Sequence, residues 1–194
     1  MTQKNFPSFL DNGRRRTVFA GGALLSGAAV ALLAGRDALA QGARASSAQS
    51  EADVRILNTA IGAEFEAVAA YQVGAERGLL SPGVRTVALQ FQGHHKEHVA
   101  ALAAAVRKLG GHPAEARGSY VFPIDKLHSE ADVLRFAAGL ERGAVSAYLN
   151  AVPLFNSRDL SQAAASILGD EAMHWAVLRQ VLGEMPVVPS AFMS

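Results

Sequence analysis

Apolar side chains recur three and four residues apart in four stretches of the chain, and each apolar stripe is broken by a carboxylate or an imidazole. From Glu51 to about Leu80 the stripe is Leu57, Ile61, Glu64, Val68, Tyr71 and Ala75. Ser81-Pro82-Gly83 stops this helix and starts a second one, which runs to about Leu109 with the stripe Phe91, His95, His98, Leu102, Ala105 and Leu109. A third starts at Ser129-Glu130-Ala131-Asp132, a capping residue followed by acids in the first turn, and carries Leu134, Ala138, Glu141, Val145 and Tyr148 until Pro153 ends or kinks it. The fourth begins near Ser157 and runs to Gly183 with Ile167, Glu171, His174, Leu178 and Val181 on one face. The pattern predicts an all-α four-helix bundle over residues 51–185 with a tail at 186–194. Residues 110–128 are longer than most helix–helix loops, as a crossover between helices 2 and 3 requires.

The chain repeats itself. Leu57/Leu134, Ala60/Ala137, Gly62/Gly139, Glu64/Glu141, Ala67/Ala144, Val68/Val145, Ala70/Ala147 and Tyr71/Tyr148 match without a gap. Shifting the offset by one residue matches Gly93/Gly169, His98/His174, Ala100/Ala176 and Leu102/Leu178, with His95 opposite Glu171. The bundle is therefore expected to be two related helical hairpins.

Each hairpin puts one carboxylate on its first helix and a pair spaced by three on its second: Glu64 with His95 and His98, then Glu141 with Glu171 and His174. Residues three apart share a helix face. A lone glutamate or histidine on an apolar face is ordinarily accounted for by a helix end or a hydrogen bond. Six in phase on four stripes follow the Glu plus Glu-x-x-His pattern of two-metal carboxylate bundles, with His95 in place of one glutamate. Burying three carboxylates without compensation is costly, and divalent cations compensate them. A metal-free relic that kept its polar core is the alternative.

Composition narrows the chemistry further. Half of the 194 residues are hydrophobic, 18% are charged and the formal net charge is +1, so no bulk field attracts nucleic acid. The absence of cysteine removes disulfides, thiol catalysis and thiolate-held metals. Arg14, Arg15 and Arg16 precede the uncharged residues 17–35, and Ala38-Leu39-Ala40 follows as a small-x-small cleavage site. Residues 1–40 read as a removed export signal, with a membrane anchor at 17–35 as the alternative, and 41–50 as a flexible leader. Arg15-Arg16-Thr17-Val18-Phe19 resembles the twin-arginine signal, which implies use of the twin-arginine machinery and a periplasmic or exported destination.

Residues 51–183 resemble the ferritin-like superfamily, in particular rubrerythrin-like and small bacterial ferritin-like proteins with twin-arginine signals. The matching residues are Ala63-Glu64 through Tyr71, His98-Val99 with Leu102, Leu140-Glu141 through Tyr148, and Glu171-Ala172-Met173-His174. The likeness implies a ferritin-like bundle and makes Glu64, His98, Glu141, Glu171 and His174 metal ligands, with bridging carboxylates among the three glutamates. It implies iron or manganese, redox chemistry with dioxygen or peroxide, and assembly as a homodimer or larger. A non-catalytic exported bundle, protective or part of an assembly, is the alternative from a different class.

His95 stands where the family carries a carboxylate, which leaves the site one charge short, admits zinc and puts ferroxidase activity in question. His94 lies one position off the stripe, opposite Asp170 in the repeat, and is expected at the rim or behind a ligand, while Glu97 is expected in solvent. Tyr71 and Tyr148 read as core tyrosines bonded to carboxylates, with a redox role as the alternative. Gly62, Gly93, Gly139 and Gly169 each precede a candidate ligand by two and suggest close packing on the outer face. Trp175 is expected against a neighbouring helix or subunit.

Overall fold

The computed structural model describes residues 27–188, with side chains from Ser46 onward. The chain separates into two compact units, Met1–Ala45 and Ser46–Ser194, and the bundle belongs to the second. The arginines at 14–16, the apolar residues 17–26 and the end of the tail lie outside the described residues. Among those described, no helix is long and apolar enough to cross a membrane.

Four long helices follow in order: α1 (Gly27–Glu76), α2 (Pro82–Lys108), α3 (Glu130–Ala151) and α4 (Arg158–Val181). The helix ends match their sequence signals. The Ser129 hydroxyl accepts the Asp132 N–H at 3.2 Å, and that of Ser157 accepts the Leu160 N–H. Pro82 occupies the first turn of α2 behind an extended Ser81. Pro153 turns the end of α3 into a short 3-10 turn over Val152–Leu154. Two boundaries differ from expectation. The backbone is helical through 41–50, where a loose leader was expected, because alanines and glutamines there favour the helix as well as they do a linker. The first helix stops at Glu76 rather than near Leu80, because Gly78 adopts φ +69°.

The hairpins pack with opposed directions across the bundle. Tyr71 of α1 meets Glu141 of α3 while Tyr148 of α3 meets Glu64 of α1, so these two helices run antiparallel. His94 meeting His174 and His98 meeting Asp170 show the same for α2 and α4. Along every helix the candidate ligands fall between two apolar clusters. One gathers Leu57, Ile61, Leu102, Val106 and Ile167. The other gathers Tyr71, Phe91, Leu134, Ala138 and Leu178, with Trp175 packed against it. The Arg179 guanidinium covers the Trp175 ring at 5.7 Å.

The crossover runs along α1. Asn58 donates to the His112 carbonyl at 3.0 Å and accepts the Ala114 N–H at 2.7 Å, and Arg77, about 28 Å further along the helix axis, holds the carbonyls of Ile124 and Leu127. At the start of this crossover Gly110 takes φ +78°, and a Cβ on Gly111 would come within 2.9 Å of Val54. Both glycines there are required by geometry. The four glycines that precede the candidate ligands are not: a Cβ at Gly62, Gly93, Gly139 or Gly169 meets nothing within 4 Å, which corrects the close-packing account. Gly62→Ala is accordingly expected to stabilise the protein by about 0.5–1 kcal/mol through helix propensity, read as a higher midpoint in chemical denaturation.

Candidate metal centre

Glu64, His95, His98, Glu141, Glu171 and His174 converge in the middle of the bundle, and all six are buried. One helical turn brings each i, i+3 pair onto the inner face of α2 or α4, with an apolar cluster above and another below. The six form two overlapping groups. Glu64 and His98 lie on one side, Glu141 and His174 on the other, and His95 and Glu171 belong to both. This is the symmetry of the sequence repeat, in which Glu64 answers Glu141, His98 answers His174 and His95 answers Glu171.

His95 lies between the halves. Its Nδ1 is 2.8 Å from Glu64 and 3.6 Å from Glu171, and its Nε2 is 3.3 Å from Glu141. His98 Nδ1 stands 3.1 Å from Glu171 and 3.4 Å from Glu64. His174 Nδ1 stands 3.6 Å from Glu141 and 3.8 Å from Glu171. These last contacts are close in distance without hydrogen-bond geometry. His98 Nδ1, His174 Nδ1, Glu141 Oε2 and both Glu171 oxygens are buried with no hydrogen-bond partner. A buried polar atom left unsatisfied costs about 1–3 kcal/mol, more when charged. These five atoms belong to the two overlapping groups that share Glu171, and nitrogen and carboxylate oxygen donors suit first-row divalent ions once the imidazoles give up their protons.

Protons and charges are set by the same contacts. Burial drags the His95 pKa down, but hydrogen bonds to Glu141 and Glu64 override it and hold it at about 10. His98, beside Glu171 and Glu64, is likewise held at about 10 against burial, and His174, beside Glu141 and Glu171, at about 9. Burial pushes Glu64 up, but His95 hydrogen-bonded to it and His98 beside it outweigh this and bring it to about 2. Glu141 is lowered for the same reason by His174 and His95, whereas burial, with Glu141 beside it, pushes Glu171 up. Without metal, protonated imidazoles therefore neutralise the glutamates.

The tyrosines close the ends of the site. Tyr148 donates to Glu64 at 2.5 Å and Tyr71 donates to Glu141, each reaching the glutamate of the other hairpin. Burial raises both phenols well above the ordinary tyrosine value, with those glutamates adding to it, so both stay protonated donors. Between α1 and α3 a cavity of about 500 Å³ reaches Glu64, His95, Glu141 and Tyr148, and its walls include Ala60, Ala63, Ala67, Ala144 and Ala147.

The profile of the ferritin-like domain family matches residues 52–184. The chain belongs to that family. Among curated proteins none matches it in sequence. Three solved structures share the fold of this ferritin-like chain. A conserved hypothetical protein from Mycobacterium tuberculosis aligns over 74% of this chain and 99% of its own with TM-score 0.64 and 23% identity. A ferritin-like, diiron-carboxylate protein from Bacillus anthracis str. Ames aligns over 69% and 97% with TM-score 0.58 and 18% identity. A dodecameric thioferritin, the bacterioferritin-related protein of Bacteroides fragilis, aligns over 75% and 92% with TM-score 0.61 and 22% identity.

All six residues singled out in the sequence thus meet in one ferritin-like pocket. Glu171 is the carboxylate shared between the halves, and the other shared member is His95, whereas Glu64 and Glu141 each serve one side. His94 sits at the rim and Glu97 in solvent. Asp170 was not singled out, although it receives His98 Nε2 at 3.1 Å. The repeat held the one clue to it, since it aligns with His94.

Proposed function

We propose that this ferritin-like bundle is an exported metalloprotein whose buried centre holds two divalent ions, iron first among them with manganese and zinc as competitors. Five inward-facing donor atoms without protein partners carry this reading. Glu64, His98, Glu141, His174, Glu171 and His95 would hold the metal. Iron bound there would supply redox chemistry toward dioxygen, peroxide or further ferrous ion. The chain's own part is to flank the centre with its two apolar clusters, to hold Glu64 and Glu141 in place by the tyrosine hydroxyls, and to leave between α1 and α3 a cavity that reaches Glu64, His95 and Glu141. Export rests on the twin-arginine-like Arg15-Arg16 and the uncharged run behind it.

The presence of His95 in place of a carboxylate favours a second reading, a centre that binds metal without turning over. Ferrous ion added under air separates the two, because consumption of dioxygen or peroxide belongs only to the first.

Metal must displace protons from the site. With pKa values of about 10, 10 and 9, His95, His98 and His174 are protonated at neutral pH, and only their neutral forms are ligands. Binding at about pH 7 is expected to release up to three protons per chain, with affinity weakening as pH falls. Titration calorimetry in buffers of different ionisation enthalpy reads the number. No bound metal in the parent protein would end the proposal, and binding without proton release would place the ions elsewhere. In the metal-free protein the same raised values stabilise the fold below about pH 6.5 and lose that contribution as pH rises through 9 to 10. The metal-free melting temperature should therefore fall over that interval, and bound metal should abolish the fall.

A further inference from the structure

We propose that His94, Asp170 and the outer nitrogen of His174 form a second cation site on the α2/α4 face, which captures divalent ions and passes them to the buried centre. The inference rests on the metal-centre reading and adds the route by which that centre fills.

The three donors lie within 4.8 Å of one another. His94 Nδ1 is 2.8 Å from His174 Nε2, and Asp170 Oδ2 is 3.7 Å from His94 Nδ1 and 4.0 Å from His174 Nε2. Exposure falls steeply inward. The side chains of His94 and Asp170 are 32% and 30% exposed, whereas His174 is 2% exposed. His174 spans the boundary, because its Nε2 faces the rim while its unpartnered Nδ1 faces Glu141 and Glu171. His98 is built alike, with Nε2 on Asp170 and Nδ1 inward without a partner. The two nitrogens of each ring thus face the outer donors on one side and the inner ones on the other, with Phe91 stacked on the His174 ring at 4.1 Å.

Charge and ligand type fit this use. One carboxylate and two imidazoles attract borderline first-row divalent ions over magnesium or calcium. A site with two part-exposed members and a third borrowed from the centre binds weakly, as a relay must. The α1/α3 cavity is the competing route: its walls carry alanine, glycine and leucine together with Thr59, Glu66 and Asn150, and it presents no imidazole outside the centre itself. His94 and Asp170 also occupy equivalent positions in the two hairpins, so one residue of the repeat supplies both outer donors.

A purely orienting role for these two residues, fixing the rings of His98 and His174, predicts a different result. Orientation changes how tightly metal is held at equilibrium, whereas a relay changes how fast it arrives. The test is stopped-flow uptake of Co²⁺ by the metal-free full chain, followed by its visible absorption, with final stoichiometry from equilibrium dialysis. In the double variant His94→Gln/Asp170→Asn uptake should slow by about tenfold or more with the final cobalt content unchanged, and each single variant should give part of the slowing. Ala67→Leu, which narrows the α1/α3 cavity, should leave the uptake rate at the parent value. An unchanged rate in the double variant overturns the relay, as does an unchanged rate with weaker equilibrium binding, or slowing by Ala67→Leu alone. A parent protein that binds no cobalt would instead remove the metal centre itself, a failure read before any variant is made.

Discussion

Glu171→Ala is expected to empty both halves of the centre, whereas Glu64→Ala is expected to spare the half built on Glu141 and His174. Glu171 is completely buried, belongs to both groups of ligands, and leaves both carboxylate oxygens without a protein partner. Metal analysis of reconstituted protein should give fewer than about 0.2 ions per chain for Glu171→Ala, and about half the parent value for Glu64→Ala. The fold should survive, because the lost carboxylate is held above its ordinary pKa by burial and is paired poorly in the metal-free state. The metal-free melting temperature of Glu171→Ala should accordingly stay close to that of the parent. Retention of one ion per chain would show that the halves do not share Glu171.

This asymmetry between a shared and an unshared glutamate could not be read from periodicity. Spacing of three and four told which residues face inward, because the helix repeat converts sequence distance directly into direction. It therefore delivered the four helices and all six inner residues. It could not tell which glutamate stands between the two halves, since that depends on how α2 and α4 are offset against α1 and α3. Tyr71 and Tyr148 show the same limit. Each was expected to bond a carboxylate, and each does, but the partner belongs to the other hairpin because α1 and α3 run antiparallel. Asp170 was hidden for another reason. An acid beside Glu171 and off the apolar stripe has the signature of a solvated residue, and only the fold brings it to His98 and His94. The glycines before the ligands misled by their regularity: they recur with the repeat, yet a Cβ would fit at each of them.

His95→Glu should move the metal-free and metal-bound proteins in opposite directions. In the metal-free site the protonated His95 lies between Glu64 and Glu141 and neutralises them, at 2.8 and 3.3 Å. A carboxylate there removes that positive charge and sets a fourth acid against three buried ones. A cost of about 3–5 kcal/mol follows from leaving buried charge unpaired, unless the new glutamate is protonated. The metal-free variant should melt well below the parent and lose further stability as pH rises. With two divalent ions bound, the fourth carboxylate matches their charge, and oxygen replacing imidazole nitrogen makes the site harder. Iron should then gain on zinc in direct competition, and the metal-induced rise in melting temperature should exceed that of the parent. Paired melts and a competitive iron–zinc loading experiment measure both signs at once. A variant with parental metal-free stability and parental metal preference would place His95 outside the centre and leave Glu64, His98, Glu141, Glu171 and His174 as a site of five.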